Sequence, residues 1–320
     1  MVLNFYQKVL QQLEAGEALV LMVVIKSTGS SPGRQGFLQM VTANVVYGTI
    51  GGGIMEHKWI TLARELLAKG PFLPFAKLQV HRPEAGENRS GMICSGEQVI
   101  AFYYFDSEDM DIIKSILSPE NTAICYRETG IFFANQNKSL DIENFNENKW
   151  QFVQSTKPEH RVFIFGAGHV GLALCRALSV LDFEVTLFDD RSEIQLKARD
   201  TISQKVQLIR YEDSHLYVTE GAHHYVVVMS AGYLTDEVIL RSLRYRKFSY
   251  LGMLGSRQKV NTLKQQLLQE GFDAEWLQAI IAPAGIDIKS ETPEEIAISI
   301  AAQLVAVKNG KDILNNRIHE

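Results

Sequence analysis

Cysteine is scarce in this sequence: among 320 residues only Cys94, Cys125 and Cys175 carry thiols. They are too few and too widely spaced for a disulfide framework, and no two form a metal-binding pair, so a reducing, cytoplasmic setting is expected. An excess of positive charge is also missing. With 32 Lys and Arg against 37 Asp and Glu, the formal net charge is −5, which argues against affinity gained by neutralising nucleic-acid phosphates. Long apolar runs are absent too. The stretch Ala18 to Ile25 is far too short to span a bilayer, and the opening residues lack the basic segment, apolar core and small-residue cleavage site of an export signal. Neither nucleic acid nor membrane is therefore an expected partner.

What is present is ordinary for a soluble globular chain, 46 % hydrophobic and 22 % charged. The length is about twice that of a typical domain, which predicts two. The boundary is placed near Thr156, giving residues 1–156 and 157–320. In the first part, apolar spacing predicts a helix from Asn4 to Leu13 that ends at Gly16, then a strand from Ala18 to Ile25. After the loop STGSSPGRQG come a hairpin pairing Phe37–Val41 with Val45–Tyr47, the run GTIGGG, a helix over Ile54–Lys69 and a strand over Gln98–Phe105. From Asp106 to Pro158 the pattern weakens to a short helix near Met110–Leu117 and an apolar stretch Gly130–Ala134, read as a connecting segment.

Beyond Arg161, short apolar runs alternate with helix-length segments. Strands are expected at 161–165, 184–188, 206–209, 225–229, 249–254 and 279–282, followed by a final helix with the start signal TPEE. The fold class is therefore α/β: a C-terminal Rossmann-type doubly wound parallel sheet with a smaller N-terminal α+β domain.

The second part opens on RVFIFGAGHVG. Gly166 permits a tight turn, Gly168 lets backbone approach a pyrophosphate, and Gly171 lets the next helix pack closely on its strand. The second strand ends in Asp189 and Asp190, about twenty residues past Gly166, where a ribose-binding carboxylate is expected. A bare strand-to-helix turn is the competing interpretation. His169 either donates to a phosphate or is a solvated loop side chain. Ser256 and Arg257, at the start of a later helix, offer a second anion site or a merely structural arginine.

In the first part, STGSSPGRQG and GTIGGGIMEH flank the hairpin and so can meet at one end of it. Gly51, Gly52 and Gly53 would then form a backbone N–H cradle for an anion, with charge from Arg34 and polar contacts from Glu56 and His57. Two ordinary turns are the alternative. Cys94, between glycines in GMICSGEQ, suits an accessible thiol better than Cys175, which lies inside an apolar helix.

Taken together, GSSPGRQG, GTIGGGIMEH, GMICSGEQ, FIFGAGHVG, FDDR, YLGMLGSRQK, APAGIDI and TPEEIAISIAAQ resemble the xanthine dehydrogenase accessory proteins, the XdhC/CoxI-like family. That resemblance implies a non-catalytic maturation factor. It would bind the molybdenum cofactor (molybdopterin), work with a cysteine desulfurase-like sulfur donor and deliver the cofactor to a xanthine dehydrogenase-like molybdoenzyme. The family's cysteine motif maps onto Cys94 as a molybdenum or sulfur ligand, its glycine-loop acid onto Glu56, and its nucleotide loop onto Gly166, Gly168, His169 and Gly171. The sequence also departs from the family pattern. Ser230 to Tyr233 replace a histidine-containing segment, Ser95 and Gly96 stand for a double glycine, and Arg34 comes two residues after Pro32 where the family has it directly after. An NAD(P)-dependent oxidoreductase using His169 or Tyr233, and a nucleotide-responsive binding module without catalysis, are the competing classes. A symmetric homodimer is the expected assembly.

Overall fold

The computed structural model describes residues 2–80, 96–134, 146, 149–194 and 206–311. Cys94 and Ser95 lie outside the described residues. The chain divides into two compact units, Met1–Lys157 and Pro158–Glu320.

In the first unit, the strand β1 (Leu19–Thr28) is apolar over seven consecutive buried residues. Such a run needs cover on both faces, and the period of two divides it accordingly. Leu19, Leu21, Val23 and Ile25 pack with Phe5, Tyr6, Val9 and Leu13 of α1 (Val2–Glu14). Val20, Met22 and Val24 pack with Met55, Trp59 and Ala63 of α2 (Gly53–Lys69). The sheet is antiparallel, with β2 (Leu38–Val41), β3 (Val46–Gly48), β4 (Phe75–Val80) and β5 (Glu97–Phe105) in the order β3-β2-β1-β5-β4. The hairpin expected from sequence is β2 with β3, in register Met40 opposite Tyr47.

The described residues of the weakly patterned stretch after Asp106 form regular elements of this unit, where a bare connection was expected. They hold α3 (Met110–Ile116) and a second antiparallel sheet, β7-β6-β8, built from β6 (Ala123–Arg127), β7 (Gly130–Ala134) and β8 (Gln151–Ser155). Ile113, Ile124, Tyr126, Trp150 and Phe152 join the core of α1 and β1. A polar thread runs through that core. Tyr6 Oη lies 2.8 Å from Tyr126 Oη, Tyr126 donates to Gln154 Oε1 at 3.0 Å, and Gln154 Nε2 donates to the Gly36 carbonyl at 2.9 Å.

Among the described residues of the second unit all strand pairs are parallel. The strands are β9 (Arg161–Phe165), β10 (Glu184–Asp189), β11 (Val206–Leu208), β12 (Gly221–Val228), β13 (Phe248–Met253) and β14 (Ile280–Ile281). Their order, β11-β10-β9-β12-β13-β14, is the 3-2-1-4-5-6 arrangement of a dinucleotide-binding Rossmann sheet. One face is covered by α4 (His169–Ser179) and the last long helix, Pro293–Lys308, through Leu174, Leu178, Ile300 and Leu304. The other is covered by helices Tyr233–Ser242 and Arg257–Gln269, through Ile239, Leu240, Val260, Leu263 and Leu267. The TPEE signal forms a capping box, with Thr292 and Glu295 each accepting from the other's backbone N–H.

Candidate functional site

The carboxyl edge of the parallel sheet concentrates the functional candidates of the second unit. From β9 the chain builds outward through β10 and β11, whereas from β12 it builds the other way, so the loops after β9 and β12 flank a topological switch point. Two glycines of the loop after β9 are required by the fold. Gly166 has φ 113°, and a Cβ there would lie 2.2 Å from the Met229 carbonyl oxygen. A Cβ on Gly171 would lie 1.9 Å from the Gly166 carbonyl oxygen.

Gly168 is different. Its φ of −73° and ψ of −172° are open to any residue, and a Cβ would meet nothing within 4 Å. Neither strain nor packing against the described residues explains this glycine. It stands at the N-cap of α4 without a side chain to cap the helix, and the exposed His169 follows it.

Asp189, expected to face a ribose, is completely buried and already committed. Its Oδ1 accepts from the Arg191 backbone N–H at 3.0 Å and from Arg191 Nε at 2.8 Å. Its Oδ2 accepts from the Ala167 N–H at 2.7 Å and from Arg191 Nη2 at 2.9 Å. Burial alone would raise this carboxyl's pKa, but hydrogen bonds from the Arg191 side chain and from the Ala167 and Arg191 N–H groups hold it below the ordinary range. Asp189 thus ties the glycine loop to the end of β10. Its neighbour Asp190 is exposed, and partial burial together with the Asp189 charge holds its carboxyl above the ordinary range.

A residue that sequence reading missed lies across the switch point. Asp236, only 6 % exposed, accepts from the Ser230 N–H at 2.8 Å and from Ser230 Oγ at 2.6 Å, and Thr235 Oγ1 lies 2.5 Å from the same hydroxyl. Burial pushes the Asp236 carboxyl up to about 6 against the opposing Ser230 hydrogen bonds. The signal was present in MSAGYLTD, where a serine precedes a carboxylate by six positions across a glycine turn. The other candidates at this edge are simpler. Tyr233 is half-buried at the start of its helix, Ser256 caps the helix Arg257–Gln269 by accepting from the Lys259 N–H, and Arg257 is exposed.

In the first unit the two glycine-rich segments do meet, and Gln98 is the residue that joins them. Its Oε1 accepts from Ser31 Oγ at 2.8 Å and from the Gly33 N–H at 3.1 Å, while its Nε2 donates to the Ile50 carbonyl at 3.2 Å and to Gln79 Oε1 at 3.2 Å. Trp59 Nε1 donates to the same Gln79 oxygen. Space between the loops is fully used: a Cβ on Gly33 would lie 2.2 Å from the Ile50 oxygen, and one on Gly51 would lie 2.4 Å from the Gly33 nitrogen.

The anion cradle expected at Gly51 to Gly53 is filled from within. Glu56 Oε2 accepts from Thr49 Oγ1 at 2.6 Å and from the N–H groups of Ile50 at 3.0 Å and Gly52 at 2.9 Å. The Gly51 N–H donates to Thr49 Oγ1 at 3.1 Å. Burial would raise the Glu56 carboxyl, but hydrogen bonds from Thr49, Gly52, Ile50 and Gln39 hold it below the ordinary range. Arg34, Gly53 and His57 are exposed around this cluster.

Of the other thiols, Cys125 and Cys175 are free and buried, and burial pushes Cys175 up to about 12, which makes it inert. Among the described residues no three His, Cys, Asp or Glu side chains are grouped to hold a metal ion, and no helix is long and apolar enough to cross a membrane.

Comparison with known proteins matches two family models. Residues 162–304 match the XdhC Rossmann domain and residues 12–74 match the XdhC and CoxI family. The chain is 22 % identical over 311 residues to the uncharacterized protein YqeB of Escherichia coli, covering 96 % of this chain and 47 % of that protein. It is 26 % identical over 175 residues to a probable xanthine dehydrogenase subunit of Bacillus subtilis, covering 53 % of this chain and 49 % of that one. The chain thus spans about half the length of these curated relatives. The crystal structure of a xanthine dehydrogenase from Bacillus halodurans superposes with TM-score 0.69 at 20 % identity, covering 96 % of this chain and 97 % of that one, which shows a shared fold.

Proposed function

The chain belongs to the XdhC and CoxI family, and from that premise we propose that it is a maturation factor which binds the molybdenum cofactor, assists its sulfuration and hands it to a xanthine dehydrogenase-like enzyme. The observation that supports cofactor binding is Gly168. An uncapped helix start beside a glycine with no internal reason to be glycine fits the phosphate that a molybdopterin carries. When bound, the cofactor supplies the molybdenum dithiolene centre that the client enzyme uses.

This chain's own part is to hold and present. The Gly168 edge with His169 binds the phosphate end, and the Asp189 clamp on the Ala167 N–H fixes the loop that does so. The Gln98 network fixes the paired glycine-rich loops of the first unit. Cys94, brought in by the family resemblance, supplies a thiolate soft enough to meet molybdenum or to handle sulfur with a cysteine desulfurase-like donor. Glu56 holds the glycine run in shape, a role in keeping with a carboxylate already surrounded by donors.

The test is activation of a cofactor-free xanthine dehydrogenase-like client by this chain, supplied with molybdenum cofactor and a cysteine desulfurase. Activation that depends on the chain and falls at least tenfold with Cys94→Ala is expected. Equal activation with and without the chain would remove the proposal.

A further inference from the structure

The commitment of Asp189 constrains which nucleotide the Rossmann edge accepts. A carboxylate offers about four lone-pair positions, and Asp189 receives four donors: the Arg191 N–H, Arg191 Nε, the Ala167 N–H and Arg191 Nη2. With the residue wholly buried, Asp189 itself has no acceptor left for the 2′-hydroxyl that a ribose-binding aspartate recognises, and the exposed Asp190 is the carboxylate that remains at this strand end. The same geometry fixes a guanidinium at the end of β10. Arg191 spends Nε–H and one Nη2–H on Asp189, which leaves its remaining N–H groups, and its side chain is 34 % exposed.

We infer that this edge selects a nucleotide carrying a 2′-phosphate over one with a free 2′,3′-diol, with Arg191 as the group that receives that phosphate. The inference deepens the phosphate-binding reading of Gly168 and is independent of molybdenum. A phosphate accepts charge-assisted hydrogen bonds in the planar geometry a guanidinium provides, and a diol gains nothing comparable from a cation. The surrounding charges are mixed. Asp190 is exposed next to Arg191, and Glu212 lies on the following loop, where it faces Arg210 at 3.7 Å. The Ile209 N–H donates to the Asp189 carbonyl at 3.0 Å, so that loop is tied to the same corner. Two nearby carboxylates moderate the attraction without removing the hydrogen-bond match, so a selectivity of tens rather than thousands is expected.

The experiment is calorimetric titration of the full chain, purified without molybdenum, with NADPH, NADH, 2′-AMP and 5′-AMP. NADPH should bind at least tenfold more tightly than NADH, and 2′-AMP more tightly than 5′-AMP. In Arg191→Ala the order should collapse or invert, because Asp189 regains free acceptors for a diol. Arg191→Lys, which keeps the charge without the fork, should fall between. Should Arg191→Ala fail to fold, the wild-type ratio and the lysine variant still decide. Equal or tighter binding of NADH, or binding of neither dinucleotide at millimolar concentration, overturns the inference. Tight 5′-AMP binding with no 2′-phosphate preference would assign the contact to the start of α4 alone and overturn it as well. Because no molybdenum is involved, failure here is distinct from failure of the maturation role.

Discussion

Glu56 Oε2 and the backbone N–H of Gly52 lie 2.9 Å apart, so the carboxylate caps the helix start that its own glycine run creates. Because the folded-state pKa of Glu56 is depressed, the stabilisation it gives is present above its unfolded pKa and is lost as pH falls through the folded value. Glu56→Ala should cost roughly 1 kcal/mol, a value kept low for a partly exposed group. Thermal unfolding at pH 7 and at pH 4 checks this: the difference between wild type and variant should shrink at the lower pH.

Asp236 has the opposite sign. Its carboxyl is raised from 3.8 to about 6, so folding favours the neutral form. That contribution is complete below about 3.8 and is lost as pH rises through about 6. Asp236→Asn keeps an acceptor for Ser230 and removes the buried charge. It should stabilise the protein at pH 7.5 by on the order of 2 kcal/mol and leave it unchanged near pH 4, read as the shift of the denaturation midpoint between the two conditions.

The glycines of GAGHVG should separate in mutagenesis. Gly171→Ala drives a methyl into the Gly166 carbonyl and should impair folding, whereas Gly168→Ala meets no neighbour and should change stability by less than about 1 kcal/mol. The second variant should instead weaken binding of phosphate-bearing ligands several-fold. Circular dichroism melting alongside ligand titration distinguishes the two effects.

Gln98→Leu removes four hydrogen bonds at once and leaves the Gly33 N–H and the Ile50 carbonyl buried without that partner. A loss of about 2 to 4 kcal/mol is expected, seen as a lower urea midpoint for the first unit. Ser31→Ala, which removes one bond, should cost about 1 kcal/mol.

The Rossmann sheet was legible because its central strands carry short apolar runs, as in Val162–Phe165 and Tyr225–Val228, between helix-length segments, and FIFGAGHVG marks where it begins. The region after Asp106 was not. The described strands β6, β7 and β8 are each five residues long, and β6 draws its cover from Tyr6 in a distant helix, which local periodicity cannot report. Motif spacing found Asp189 but assigned it to a ligand, because a motif carries no record of Arg191 folding back two residues later. Spacing likewise brought the glycine-rich loops together. It did not reveal Gln98, an ordinary strand residue by pattern, or the closure of the glycine run by Glu56.

The most direct test of the central claim is the amount of molybdenum and pterin bound per chain after anaerobic purification from a molybdenum-replete host. Near one of each per chain is expected in the wild type, with a fall of at least tenfold in Cys94→Ala with the fold retained. Wild-type protein free of both molybdenum and pterin, under conditions where a client molybdoenzyme in the same cells is loaded, would contradict that claim.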